Sequence, residues 1–560
     1  MRTTLQRMGV VTWCVLSVSG CTSLVGDLGA STSGESGSSG TTEGPDTTDT
    51  TGALTSTVGS TGSPVPPDTS GEASTSGGSD STGATGGAQE PVVDVELVVE
   101  RASGEDWHLF VSRVVDGELQ PDVPLHDPDT GHEWRPQFLP GRRVLLEAQR
   151  DGVAEELYVA SLDGVPSAVR VDVGTEPPGT DAPPLVIPGG DTIVYSYEGI
   201  AYRVDLEDAD VSSAIALVEH RVPFRPAADP QARYVLLQDP DGAVVRVPLD
   251  GGSIEPTLSA SQPWLTPDGN GGFQHRTVDG VARVEYLPLG DGVGVHQSGG
   301  PEVLDGNLFS GVSGPPLVRT HPSAHGVVAR TGWYDEAALF YVGVDGGKLL
   351  PEVRLSLPAP HVDVPTFWHT GFPPWSPDGH WLTFESGSTV WFADFGNGHV
   401  PSVQTVQLAG TWTPLQWAPD GSALYFNSGS AQIWAGSRVL LTGGAAVVQP
   451  LGGEGDSFSA LSPDGQSAVV AHRDDLQSST SALYQVDVSG DEPGTPVLIA
   501  EAEPGESLGN AKFSSSGRHV VYSRGLEDEA TPRYSIASLD EPDAVHLDLG
   551  EALRVYVVPE

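Results

Sequence analysis

The sequence predicts an all-β fold, a β-propeller of four-stranded antiparallel blades that follows a disordered tether. Three observations support this prediction. Glycine (70 residues) and proline (47 residues) are abundant, and only 18% of the 560 residues are charged, a balance typical of short strands joined by tight turns. From Val92 onward, short apolar runs alternate with Asp-Gly, Pro-Asp-Gly or Gly-Gly corners. One short motif at these corners, which are tight turns between strands, recurs about every forty residues, which is the period of a propeller blade.

Residues 1–20 have the features of a signal peptide. A positively charged start precedes an apolar run from Met8 to Val18, which is too short to span a bilayer stably. A valine, two small residues and Cys21 end the run, and this resembles the lipobox of bacterial lipoproteins. The resemblance implies cleavage before Cys21, lipidation of its thiol and, with Thr22 next, the outer membrane as destination. The alternative is an ordinary secretory signal.

Residues 21–91 form a low-complexity segment of Ser, Thr, Gly and Pro. After Cys21 it contains nine acidic residues, no Lys or Arg and no aromatic residue, so it cannot bury enough apolar surface to offset its ordering entropy. We expect a flexible tether with a mean reach on the order of 45 Å. Because Cys14 and Cys21 are the only cysteines, we expect no disulfide in residues 92–560, whose fold must depend on packing alone.

The chain is strongly acidic, and this charge disfavours negatively charged partners. Its net charge is −48, and residues 92–560 hold 66 acidic and 25 basic side chains. Binding to nucleic acid depends on Lys and Arg that displace counterions from phosphates, and anionic lipid surfaces need basic clusters as well. We therefore expect no nucleic-acid partner, and membrane contact through the lipid anchor only.

The recurring corner has a clear physical basis. Proline presets φ at the first turn position, aspartate can accept a hydrogen bond from the amide two residues on, and glycine accepts positive φ. In the clear copies the glycines are 42 and 44 residues apart. An earlier copy ends at Gly269 and a degenerate one at Gly517. The clear copies are Pro377-Asp378-Gly379, Pro419-Asp420-Gly421 and Pro463-Asp464-Gly465.

These repeats resemble the WD40-like propeller repeats of TolB and related periplasmic proteins, over most of residues 92–560. Nine units open with a corner. An N-terminal fragment, with strands expected near Val92–Val99 and Trp107–Val114, lacks one, and a strand at Leu553–Val558 is left to close the ring. We expect about eight to ten blades, in one large ring or in two tandem propellers divided near residues 295–315. TolB-like rings usually have six blades, so the number departs from that pattern.

The strongest catalytic motif is Gly505-Glu506-Ser507-Leu508-Gly509, which matches a nucleophile elbow. An elbow needs a strand before it and a helix after it, whereas the residues that follow are typical of a propeller strand and turn. We therefore expect no catalytic residue here. Single histidines such as His275, His321 and His472 are scattered and more typical of surface or core positions than of ligands.

The segment from His126 to Glu133 is the densest cluster of potential metal ligands. Asp127, Asp129 and Glu133 are weak candidates for calcium, but the spacing of a twelve-residue calcium loop is absent, so a solvated turn between blades is favoured. Tryptophans at strand positions suit packing between blades better than a carbohydrate platform. They include Trp264, Trp375, Trp391, Trp412, Trp417 and Trp434.

The expected function is therefore a non-enzymatic scaffold of the cell envelope that binds a protein or peptide and needs no cofactor. Propellers present a rigid face of loops around a channel, which suits such partners. Two alternatives stay open. One is a propeller enzyme of the lyase or lactonase type with histidines and acids at the channel mouth, and the other is a calcium-dependent carbohydrate-binding module.

Overall fold

A computed structural model describes most of the repeat region. The described residues are 93–103, 106–126, 132–150, 154–164, 166–172, 184–197, 199–206, 214–218, 227–238, 244–251, 255–258, 264–278, 281–288, 302–303, 318–320, 326–331, 338–345, 348–355, 375–386, 389–396, 402–407, 411–430, 433–442, 445–473, 480–526, 531–540 and 546–559. The predicted signal peptide, Cys21 and the tether lie outside them. Residues 91–560 belong to one compact unit.

These residues form 41 strands in ten antiparallel sheets, which we call blades 1 to 10. Blades 1 to 4 contain β1 (Val93–Ser103), β2 (Asp106–Val115), β3 (Glu118–Leu119), β4 (Val123–Pro124), β5 (Glu133–Leu139), β6 (Arg143–Arg150), β7 (Ala154–Ser161), β8 (Ser167–Arg170), β9 (Leu185–Val186), β10 (Thr192–Tyr197), β11 (Ile200–Asp205), β12 (Ile215–Val218), β13 (Ala227–Ala228), β14 (Tyr234–Gln238), β15 (Val244–Pro248) and β16 (Glu255–Leu258).

Blades 5 to 7 contain β17 (Trp264–Leu265), β18 (Gly271–Val278), β19 (Val281–Pro288), β20 (Glu302–Val303), β21 (Val318–Thr320), β22 (Gly326–Thr331), β23 (Ala338–Asp345), β24 (Lys348–Leu349), β25 (Val353–Arg354), β26 (Trp381–Ser386), β27 (Thr389–Asp394) and β28 (Ser402–Gln407). Blades 8 to 10 contain β29 (Thr411–Trp417), β30 (Ala423–Ser430), β31 (Ile433–Thr442), β32 (Ala445–Pro450), β33 (Asp456–Leu461), β34 (Ser467–His472), β35 (Ala482–Asp487), β36 (Val497–Glu501), β37 (Glu506–Phe513), β38 (His519–Leu526), β39 (Arg533–Ser538) and β40 (Leu547–Glu551). The last strand, β41 (Arg554–Val557), joins blade 1.

Most blades have four strands in sequence order, as the repeat predicts. In blades 1 and 6 the outer position is filled by two short strands that pair with the same neighbour. In blade 7 the innermost position is a single bridge between Trp375 and Leu382. First strands of consecutive blades, such as β33 and β37, are neighbours; we call the first strand of each blade inner and the fourth outer.

Successive blades pack face to face through shared apolar clusters. In blade 2, Val144 and Leu146 face blade 1, whereas Leu145 faces blade 3. This alternation follows from the period of two along a strand. Similar clusters join blades 3 and 4, 4 and 5, 6 and 7, 7 and 8, 8 and 9, and 9 and 10. Blades 5 and 6 meet where β17 and β21 lie side by side.

Blade 10 packs against blade 1, so the described sheets form one closed ring. Val521 and Ile536 of blade 10 share a cluster with Leu97 and Val555 of blade 1. The last strand of the chain, β41, joins the first blade, where it pairs antiparallel with β1 from Leu97 to Glu100. The predicted N-terminal fragment and C-terminal strand thus complete one blade together. Of the two predicted arrangements, the single large ring is the one observed, and the two-propeller division near residues 295–315 is wrong.

The closure contacts should be important for stability. Leu97 is 1% exposed in the cluster between blades 10 and 1, so Leu97→Ala removes buried methyl groups and leaves a cavity. We expect a loss of about 2–5 kcal/mol in the free energy of unfolding, measured by urea denaturation with tryptophan fluorescence. The matched control is Val403→Ala on the surface of blade 7, where 38% of the residue is exposed. Equal losses in the two variants would contradict a closed ring.

Candidate functional site

The corners between first and second strands, with the nearby corners between third and fourth strands, form a surface that we call the turn rim. In blade 7, Gly379 has φ of 74° and its amide donates to the Ser376 carbonyl at 2.9 Å. The Asp378 carboxylate accepts bonds from the Ser376 hydroxyl at 2.5 Å and from the His380 amide at 3.0 Å. The Ser376 hydroxyl in turn accepts from the Trp381 amide at 2.9 Å.

The same network recurs in other blades. In blade 9 the Asp464 carboxylate accepts from the Ser462 hydroxyl at 2.6 Å, and the Ser467 amide donates to that hydroxyl at 2.9 Å. In blade 5 threonine replaces serine, and Thr266 donates to Asp268 at 2.6 Å. The hydroxyl residue before proline is therefore part of the turn, a role that the sequence analysis did not assign. It closes the corner by satisfying both the aspartate and a backbone amide.

These hydrogen bonds favour the ionised carboxylates. The Ser462 hydroxyl and the Gln466 amide lower the pKa of Asp464, and the Ser422 hydroxyl and amide lower the pKa of Asp420. At Asp268 burial alone would raise the pKa, but hydrogen bonds from Thr266 and Asn270 lower it overall. The turn rim therefore stays negatively charged at neutral and mildly acidic pH.

Turns of neighbouring blades touch one another. A Cβ atom on Gly421 would lie 2.5 Å from Oδ1 of Asp378 in the preceding blade. A Cβ atom on Gly269 would lie 1.7 Å from Oδ1 of Asp229, again in the preceding blade. Two independent features therefore require glycine at these corners: the positive φ and the close approach of the turn in the preceding blade. The turns form a continuous, closely packed part of the rim.

Arginine side chains tie third strands to the following blade. Each donates to backbone carbonyls at the corner between the third and fourth strands of that blade, and each also binds an acid or amide side chain. Such bonds are charge-assisted and strong. The pairs are Arg113 with Leu162 and Gly164 at 2.5 and 3.2 Å, Arg203 with Leu249, and Arg438 with Val488 and Gly490 at 2.6 and 2.7 Å.

These arginine bridges were not predicted from the sequence, although the sequence contains a signal for them. Each bridging arginine precedes a valine, as in Arg113-Val114, Arg203-Val204 and Arg438-Val439. In a chain with only 27 basic residues, a repeated Arg-Val pair at the same strand of the repeat could have indicated a role between blades.

A cleft of about 460 Å³ opens on the turn rim between blades 3 and 4. Its walls include turn backbone at Gly189 and the side chains of Thr192, Asp191, Arg203 and Asp250. The volume lies within the range of small-ligand and side-chain pockets. Both arginines of the lining are paired, Arg203 with Asp205 at 2.7 Å and Arg233 with Asp229 at 2.6 Å, so the cleft offers hydrogen-bonding groups without a strong positive charge.

Glu133 lies between blades 1 and 2, where it is 1% exposed, so the expected solvated turn is wrong at this residue. Its Oε2 accepts a bond from the Leu109 amide at 2.8 Å. Its Oε1 lies 3.4 Å from Nδ1 of His126 and 3.8 Å from Nδ1 of His108. The calcium candidates Asp127 and Asp129 lie outside the described residues. Within the described ranges, no three His, Cys, Asp or Glu side chains are placed to hold a metal.

The buried polar layer continues outward on the same face of blade 2. Tyr158 donates a hydrogen bond to Glu156, and Arg170 forms ion pairs with Glu156 at 2.7 Å and with Asp172 at 2.6 Å. Burial raises the pKa of Asp172, and Arg170 offsets this only in part. This layer joins two blades through hydrogen bonds and ion pairs, although Nδ1 of His108 and Oδ2 of Asp172 are buried without a hydrogen-bond partner among the described residues.

The other sequence candidates fall at structural positions. Ser507 lies within β37 opposite Gly525, and a turn and another strand follow instead of a helix, so the elbow geometry is absent there. Trp375 and Trp417 are buried in clusters between blades, as predicted. His472 pairs with Asp456 through Nδ1 at 2.5 Å. The His275 side chain and His321 lie outside the described part. No helix in that part is long and apolar enough to span a bilayer.

Neither a protein-family model nor a curated protein matches the chain. Among solved structures it is similar to a putative TolB from Agrobacterium tumefaciens (20% identity, 42% of this chain and 83% of that one, TM-score 0.24). It is also similar to an oligogalacturonate lyase in complex with manganese (13%, 80% and 98%, 0.32) and to a eukaryotic initiation factor (12%, 72% and 96%, 0.44). These similar structures thus include a TolB-type protein, in agreement with the resemblance of the repeats.

The contact between turns predicts an unequal effect of alanine at two glycines. Gly421→Ala should cost the strain of positive φ, roughly 1–2 kcal/mol, plus the clash with Asp378. Gly164→Ala is the matched control, because φ is 64° but nothing lies within 4 Å of its added Cβ. Urea unfolding should show the larger loss at residue 421, and Asp378→Ala in the same chain should relieve part of it. Equal losses at the two glycines would contradict the stacked rim.

The turn aspartates predict a specific pH dependence of stability. The pKa of Asp464 is lowered in the folded state, so its contribution is present above the unfolded pKa of about 3.9 and is lost as pH falls through the folded value. Asp464→Asn should therefore be less stable than the parent at pH 7, with a difference that shrinks below about pH 4. Urea midpoints at both pH values measure this. Glu492→Gln, at an exposed residue, is the control, and a pH-independent difference for Asp464→Asn would disprove the assignment.

Proposed function

We propose that the chain is a non-enzymatic lipoprotein of the bacterial cell envelope whose propeller binds a protein or peptide at the turn rim. The cleft between blades 3 and 4 is the observation that carries this proposal. Its lining combines apolar groups such as Ile187 and Leu249 with polar and charged groups such as Asp191 and Arg203, and a mixture of this kind is typical of binding pockets. Its volume suits one or two side chains of a partner.

Rigidity of the rim supports a binding role. The corners of neighbouring blades touch, and Arg203 of blade 3 donates to the Leu249 carbonyl of blade 4 directly beside the cleft. Asp191 is held by Arg143 of blade 2 at 2.9 Å. A surface fixed before binding loses little conformational entropy when a partner arrives. The cleft is therefore suited to a partner of defined shape.

Charge narrows the chemistry of the partner. The chain has a net charge of −48, and the carboxylates of the turn rim remain ionised near neutral pH. Asp250 is exposed at the cleft. Electrostatic complementarity favours a neutral or basic segment and speeds its association. Nucleic acid and other polyanions are disfavoured for the same reason.

The anchor is the second part of the proposal. The lipobox-like sequence ending in Cys21 supports acylation of that thiol, and several acyl chains give stable anchoring to a membrane. The low-complexity segment up to residue 91 would then separate the propeller from the bilayer. We place the anchor in the outer membrane because Thr22, not Asp, follows the cysteine.

The test is capture of a partner from native envelopes, with the full chain as bait and mass spectrometry as readout. We expect the parent chain to recover a neutral or basic protein, and Asp250→Lys to recover about tenfold less, equivalent to ~1.4 kcal/mol. Asp345→Lys is the matched control, because it changes an exposed Asp-Gly-Gly corner of blade 6 away from the cleft. It should recover as much partner as the parent.

Two outcomes would count against the proposal. A partner captured equally by the Asp250→Lys and Asp345→Lys variants does not bind at the cleft. Failure of the parent chain to capture any protein, together with turnover of an acidic sugar or lactone by the purified chain, would instead favour a propeller enzyme of the lyase or lactonase type.

A further inference from the structure

A long part of the chain is almost free of charge. Between Asp394 and Glu454 only Asp420 and Arg438 are charged, although charged residues make up 18% of the whole sequence. Arg438 is buried between blades 8 and 9, so it adds no charge to the surface. The segment contains β28 and β32, the outer strands of blades 7 and 8. The ring therefore has a neutral sector on its perimeter.

The two outer strands form one continuous surface. β28 and β32 are neighbours, and Val406 packs in the same cluster as Ala446. Three valines remain largely outside this contact: Val403 is 38% exposed, Val447 47% and Val448 39%. We call these two strands and their exposed valines the neutral edge.

Each strand of the neutral edge pairs on one side only among the described strands. The other side carries backbone groups open to a further strand. Edge strands are usually protected by charged side chains. Several outer strands here follow that rule, with Arg170 in β8, Glu501 in β36 and Asp548 in β40, whereas the four-residue β12 of blade 3 carries no charge. The sequences Ser-Val-Gln-Thr-Val-Gln of β28 and Ala-Ala-Val-Val-Gln-Pro of β32 carry no charge, so this protection is missing.

We propose that the neutral edge is a self-association surface, at which β32 pairs antiparallel with β32 of a second copy of the chain. Charge is the argument for this occupant. Two strongly acidic rings repel each other wherever carboxylates would meet, and the neutral edge lets them approach without placing carboxylates opposite each other. A basic partner, in contrast, finds no acidic group on these strands to recognise.

The geometry of β32 suits a twofold interface. In an antiparallel pair with its twofold axis at Val447, this valine lies opposite Val447 of the second copy, because residues directly opposite each other in a sheet point to the same face. The same patch is used on both chains, as a twofold interface requires. Blade 8 would then continue across the interface by strand addition. A six-residue strand with a few valines is small beside the ~1,200–2,000 Å² of a stable interface, so the dimer is weak.

Salt should strengthen this association, because it screens the repulsion between the acidic rings. The distance beyond which charges are screened falls from about 8 Å at physiological ionic strength to about 3 Å at 1 M. Sedimentation velocity of the full chain carrying Cys21→Ser, from low to high micromolar concentration, is the direct test. We expect a monomer–dimer equilibrium whose dimer fraction increases several-fold between 0.15 M and 1 M NaCl.

The decisive variants place lysines on outer strands. The double substitution Val447→Lys and Val448→Lys should abolish the dimer. The matched control replaces Val497 and Leu498 of β36 with lysine, because these are 48% and 45% exposed on the next blade, and it should leave the dimer intact. Far-UV circular dichroism and thermal unfolding check that both variants fold.

Three results would overturn the proposal. A monomer at every concentration and salt level excludes the second copy. A dimer that survives lysine at residues 447 and 448 is formed elsewhere. A parent chain that stays monomeric but binds a neutral, valine-rich peptide only when residues 447 and 448 are valines assigns the edge to a heterologous strand instead. Because the variants leave the cleft between blades 3 and 4 untouched, the outcome does not depend on the proposed function.

Discussion

The structure depends on face-to-face packing between neighbouring sheets. A blade with apolar residues on both faces, such as Val144 on one and Leu145 on the other, cannot bury them alone, so each blade needs two neighbours. A linear array would leave two terminal faces exposed. Pairing of β41 with β1 removes both ends by placing blade 10 against blade 1. With no disulfide between its strands, the ring is held by this cyclic burial.

The same constraint explains how an acidic chain uses its few basic residues. Arginines such as Arg113 and Arg438 donate to carbonyls of the next blade, and these charge-assisted hydrogen bonds stabilise the contact. The turns provide a second set of contacts between blades, because the Asp378 side chain of blade 7 lies against Gly421 in the turn of blade 8. Both devices converge on one rim, which makes that rim rigid and places the cleft between blades 3 and 4 on a fixed support.

The sequence predicted what is local or periodic. Proline, aspartate and glycine at a fixed interval predicted the corners, and an unmatched C-terminal strand predicted the closure. It could not predict contacts between residues 50 positions apart, such as Arg438 with Val488. For that reason Glu133 was expected in a solvated turn, although His126 and His108 surround it between two blades. The cleft was missed because it exists only where two blades meet.

Closure of one ring explains the position of the terminal strands and the contacts between turns of neighbouring blades. Cryo-electron microscopy of the full chain carrying Cys21→Ser tests it most directly. A closed ring should give face-on class averages with ten radial sheets around a single axis. Two smaller rings joined by a linker, or an open arc with a gap between the first and last sheets, would contradict it.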